Sequence, residues 1–99
     1  MPDIFFIKSR ALRDLEGIVQ YISRDNPVAA RNLREKILED CTIIGRNPFI
    51  GTIRKDLTDR PVRFFAAHHN YMIIYNAEST PVQILRIYNA ARDITSILH

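Results

Sequence analysis

The apolar positions of this chain change their period twice. Ile4, Phe5, Phe6 and Ile7 form a short continuous apolar run between Asp3 and Lys8, which predicts a strand. From Ser9 onward the spacing becomes three and four. Ala11, Leu12, Leu15, Ile18, Val19 and Ile22 then share one helical face, with Ser9 as the expected cap. Gly17 weakens the middle of this helix by about 0.8–1 kcal/mol relative to alanine, which predicts close packing there. Asp25-Asn26-Pro27 ends the helix and starts another, with Asn26 as N-cap and Pro27 at the first helical position. Ala30, Leu33, Ile37, Cys41 and Ile44 line the second stripe. Arg31, Arg34, Glu35, Lys36, Glu39 and Asp40 read as its solvated face, and Asn47-Pro48 stops it. Two amphipathic helices with almost no linker predict an antiparallel helical hairpin.

Residues 48–60 mix proline, glycine and charge and predict an irregular loop. Residues 61–67, 71–76 and 81–88 are rich in Val, Ile, Phe and Tyr and predict three strands. The connections at 68–70 and 77–80 are short enough for hairpins, so the strands form an antiparallel meander. From about Ala90, the helical spacing of Ile94, Ile97 and Leu98 predicts a short C-terminal helix. The order β-α-α-β-β-β gives an α+β sandwich of two layers, with the first strand joining an edge or the middle of the sheet.

Length supports one domain over residues 1–99, burying roughly 60–68% of the unfolded chain's surface. The 46% hydrophobic and 25% charged content exclude a disordered chain. A net charge of +3 is slight, and no dense basic stripe points to direct sequence-specific binding of nucleic acid. The single cysteine, Cys41, allows no internal disulfide, and its place on the helical stripe predicts a buried, inert thiol. The N-terminus lacks a signal-peptide core and no run is long enough to span a membrane, so the expected location is the cytoplasm.

Candidate chemistry is sparse. Gly17, Gly45 and Gly51 are isolated, so there is no phosphate loop. His68, His69, His99 and Cys41 make no metal set, and the adjacent His68 and His69 read as a solvated turn. No cofactor is implied. Arg63 and Arg86 stand inside predicted strands with parity opposite to their apolar neighbours, which predicts an arginine-bearing open face of the sheet. Tyr71, Tyr75 and Tyr88 offer aromatic edges near it, or cross-strand packing.

Several words of the chain, in this order, resemble the RelE/ParE superfamily of bacterial toxins, and more narrowly its ParE branch. They are ALRDLEGIVQYIS, NPVAARNLREKI, NPFIGTIRKDL, VRFF, NYMIIYN and ILRIYNAARDI, and they run nearly the length of the chain. The resemblance implies the toxin of a type II toxin–antitoxin system. ParE-like members act on DNA gyrase through a binding surface, whereas RelE-like members cut messenger RNA on the ribosome. RelE-like chemistry needs a base to activate the 2′-OH and several cations to stabilise the developing charge. Arg63 matches one such cation, but Ala90 and Ala91 stand where the base belongs. The resemblance therefore implies a gyrase inhibitor, with a ribonuclease or a non-toxic partner-binding relative as alternatives.

The resemblance also implies a cognate antitoxin that folds onto the toxin, giving a hetero-oligomer. Its expected seat is the groove between helical hairpin and sheet, at Leu12, Leu15, Val19, Leu33 and Ile37. The expected target contacts are Arg63, Arg86, Tyr88 and Arg92, the last on a tail important for toxicity.

Overall fold

Asn26 and Pro27 begin the longer helix as their chemistry requires. The Asn26 side chain accepts a hydrogen bond from the Ala29 N–H at 3.0 Å, and Pro27 occupies the first turn. The structure, a computed structural model, describes residues 4–91. Strand β1 (Phe5–Ile7) leads into α1 (Ser9–Ser23) and α2 (Pro27–Arg46). The strands β2 (Arg63–Ala66), β3 (Tyr71–Asn76) and β4 (Val82–Asn89) follow. The expected C-terminal helix lies outside the described residues. Two local expectations differ. The cap position of α1 is Lys8 rather than Ser9, and it makes no side-chain capping bond. Gly17 faces open space, so close packing does not explain it.

The four strands form one mixed sheet in the order β1-β4-β3-β2. β2, β3 and β4 make the expected antiparallel meander, and β1 joins at an edge, parallel to β4. Its register pairs Phe5 with Val82, Phe6 with Gln83 and Ile7 with Ile84. Alternation turns Phe5 and Ile7 toward the helices and leaves Phe6 exposed. α2 passes close to this edge because Gly45 has no side chain. A Cβ there would collide with the Ile4 carbonyl.

The main core lies between the helices and one sheet face. Ala11, Leu15, Leu33, Ile37, Cys41 and Ile44 meet Ile73, Tyr75, Val82, Ile84 and Ile87. A smaller core, formed by Val62, Phe64, Ile74 and Tyr88, is packed by Leu57, Met72 and Leu85. Phe64 and Ile74 are register partners, next to the Arg63–Tyr75 pair that belongs to the helix side. The second sheet face is therefore partly covered by the segment leading into β2, rather than open.

A β-bulge sets the side-chain directions in β4. Tyr75 pairs with Ile84 and Ile74 with Arg86, so Leu85 is the extra residue. Ile84 and Ile87 both reach the main core, while Leu85 joins the smaller one. The simple parity expected around Arg86 is thus corrected: its neighbours Leu85 and Ile87 pack in different cores.

Candidate functional site

The connection from α2 to β2 is held by hydrogen bonds rather than by regular secondary structure. The buried Tyr75 hydroxyl donates to the Pro48 carbonyl at 2.7 Å and accepts from the Gly51 N–H at 2.8 Å. Both hydrogen-bonding roles of the hydroxyl are used, and burial pushes its pKa up. Gly51 is needed at this approach. A Cβ would press on the Tyr75 hydroxyl and the Phe64 carbonyl. Thr52 and Phe64 exchange backbone hydrogen bonds, both at 2.9 Å, which fastens the segment to the outer edge of β2.

Arg63 completes this clamp. Its Nη1 donates to the Gly51 carbonyl at 2.7 Å and, at 3.4 Å, to the Phe49 carbonyl. Its guanidinium carbon lies 5.1 Å from the centre of the Phe49 ring, within cation–π range. Pairing with Tyr75 puts Arg63 on the helix side of the sheet, whereas Arg86 pairs with Ile74. The expected arginine-bearing open face does not form, because Arg63 is bonded to the Phe49 and Gly51 carbonyls and Arg86 to Asp14 of α1.

Arg86 is engaged with α1. Its Nε and Nη2 donate to the Asp14 carboxylate at 2.8 and 3.1 Å. The same carboxylate accepts the Ile87 N–H at 3.0 Å. β1 pairs with residues 82–84 of β4, so Asp14 serves a strand-edge N–H beyond the reach of β1. The Asp14 hydrogen bond is the main reason the Arg86 pKa lies above its ordinary value.

The remaining expected target residues are Tyr88 and Arg92. Tyr88 is 1% exposed, and its hydroxyl has no hydrogen-bond partner among the described residues. Arg92 lies outside those residues. Of the expected antitoxin contacts, Leu15, Leu33 and Ile37 are main-core residues and Val19 packs partly buried against them. Leu12, at 41%, is the exposed member of the set. The groove between hairpin and sheet is thus filled by the protein's own side chains.

Asp40 corrects the solvated-face reading of α2. It is 3% exposed, and its carboxylate meets His68 Nδ1 at 2.7 Å and accepts the His68 N–H at 3.2 Å. His68 is therefore a docked residue of the β2–β3 turn. His69 and Asn70 make that turn with φ of 58° and 64°. No cluster of His, Cys, Asp and Glu able to hold a metal ion occurs among the described residues. Within the same residues, no helix is long and apolar enough to cross a membrane.

Sequence reasoning gave Asp14 no role, read Asp40 as solvated, and named Gly51 and Tyr75 without the contacts that join them. The one local signal was Gly51 beside the Asn47-Pro48 stop. The partners of the others are distant in sequence.

The model of the ParE toxin family, the toxin of the type II parDE toxin–antitoxin system, matches residues 5–94. The chain also resembles one from the structure of the chromosomal ParDE TA system from P. aeruginosa. The TM-score is 0.71 and the identity 20%, over 86% of this chain and 92% of that one. At that identity the likeness shows a shared fold. No curated protein matches the chain significantly. Helical hairpin, mixed sheet and family match together define a toxin of the toxin–antitoxin class. The chain belongs to the ParE toxin family of type II systems.

Proposed function

We propose that the protein inhibits DNA gyrase by stabilising its cleaved-DNA state, and that a cognate antitoxin neutralises it. The observation carrying this reading is the engagement of both strand arginines within the fold. Arg63 binds the carbonyls of Phe49 and Gly51, and Arg86 binds Asp14. A RelE-like ribonuclease needs cations aimed at the scissile phosphate and a base beside it. At the end of β4, Ala90 and Ala91 offer only their backbone N–H groups, bonded to the Asn70 carbonyl and Asn89 Oδ1. A binding surface fits these residues better than a catalytic one.

In this reading Arg92 keeps its proposed role as a target contact. Leu12 and the rim of Val19 face the antitoxin, supported from below by Leu15, Leu33 and Ile37. The test is a supercoiling and DNA-cleavage assay with purified gyrase, run beside a translation assay. Accumulation of cleaved DNA with translation unaffected is expected. Codon-linked cleavage of messenger RNA on translating ribosomes, lost in Arg63→Ala, would overturn it.

A further inference from the structure

The clamped segment between α2 and β2 displays three large apolar side chains within five residues. Phe49 is 68% exposed, Ile50 50% and Ile53 47%. Charge is concentrated along the same stretch of chain. Residues 46–63 carry five cations, Arg46, Arg54, Lys55, Arg60 and Arg63, against two carboxylates, Asp56 and Asp59. The other nine cations and nine carboxylates of the chain cancel, so the whole formal charge of +3 falls within residues 46–63, the last residue of α2 and the first of β2 included. Arg54 is taken by Asp56, with bonds of 2.9 and 2.7 Å, and Arg63 by the clamp. Arg46, Lys55 and Arg60 form no ion pair among the described residues, and neither does Asp59.

This arrangement suits binding. An exposed apolar loop would ordinarily lose conformational freedom when a partner covers it. Here Tyr75, Arg63 and the Thr52–Phe64 bridge have already ordered the backbone that bears the side chains. An aromatic anchor with aliphatic neighbours, flanked in sequence by cations, has the make-up of an interface hot spot.

We propose that Phe49, Ile50 and Ile53 form a preordered docking knob for an acidic, amphipathic segment of the antitoxin. Apolar side chains of that segment cover the knob, and its carboxylates meet Arg46, Lys55 and Arg60. The inference rests on the toxin–antitoxin reading above. A second copy of this chain fits poorly, because a two-fold interface would set the same positive segment against itself. Single-stranded nucleic acid fits poorly too, since one aromatic ring beside two isoleucines is a meagre stacking platform.

The experiment titrates the protein encoded by the adjacent reading frame against the wild-type chain and three variants. Phe49→Ala/Ile53→Ala should weaken binding by about 30-fold or more, mainly through faster dissociation. Lys55→Glu/Arg60→Glu should slow association, by a factor that shrinks as salt is raised. Val28→Ala, an exposed apolar site on α2, should stay within about twofold of wild type, as expected away from a hot spot. Thermal melting checks that each variant is folded, and Ile50→Glu replaces the double variant if that one is not. Unchanged affinity in the folded knob variant would overturn the knob and leave the toxin–antitoxin reading standing. An equal loss in Val28→Ala would also overturn it, as would a knob-dependent homodimer or knob-dependent binding of single-stranded RNA. Failure of the wild-type chain to bind that protein would remove both readings together.

Discussion

Asp14 and Arg86 lie 72 residues apart in sequence and join α1 to β4 through two hydrogen bonds. The pair is largely shielded from solvent, and Asp14 also holds the Ile87 N–H. Asp14→Ala strands a guanidinium and a strand-edge donor at once. It should destabilise the fold by about 2–3 kcal/mol, between the values for exposed and fully buried pairs. Arg86→Ala leaves the carboxylate its backbone partner and should cost about 1–2 kcal/mol. Thermal melting of both variants and the double variant checks this, at about 4–8 °C per kcal/mol for a domain of this size. Additive losses would show that the pair is not coupled.

Tyr75→Phe keeps the ring in the main core and removes the hydroxyl from the clamp. The Gly51 N–H and the Pro48 carbonyl then lose a partner, at a cost of about 1–3 kcal/mol. Hydrogen exchange at the Gly51 amide should quicken well before the helices respond. Equal protection in mutant and wild type would mean that this bond does not order the segment.

The clamp also makes Gly51 a test of close packing. Gly51→Ala puts a methyl group against the Tyr75 hydroxyl and the Phe64 carbonyl. Such overpacking should destabilise by about 1–3 kcal/mol. Gly17→Ala, which meets open space in the middle of α1, should instead stabilise by about 0.4–1 kcal/mol. Chemical denaturation of the two variants reads these opposite signs.

Cys41 is fully buried, and burial, with the Asp40 carboxylate second, pushes its thiol from 9.0 up to about 12. A thiol reagent near pH 8 should therefore label the folded protein slowly and the denatured protein at once. The folded chain holds this proton where the unfolded chain has released it. Its contribution to stability is thus complete below about pH 9 and declines as pH rises toward about 12. Urea midpoints across that range, compared with those of Cys41→Ala, isolate the effect. Rapid labelling of the native protein would contradict the register of α2.

The sequence alone carried the family and most of the secondary structure, because those signals are local. A helical stripe repeats every three or four residues, and Asn26 caps a helix through an N–H three residues away. The resemblance rests likewise on short words read in order, and the family match spans residues 5–94. Two helices and an antiparallel meander followed from the same periodicities.

The tertiary structure decided where β1 pairs and what the polar residues do. Asp14 and Arg86 look like surface charges until α1 packs along β4. Asp40 looks solvated until the turn at His68 reaches it, 28 residues later. The side chains of β4 turned on a single extra residue, Leu85, which breaks the two-residue alternation that strand reasoning assumes. Arg63 has the look of a free cation in sequence. It became a loop anchor because its register partner is Tyr75, and both reach the same short segment after α2. Periodicity tells which side of an element is apolar. Which distant group meets a polar side chain depends on how the elements dock, and that geometry is written in no local pattern.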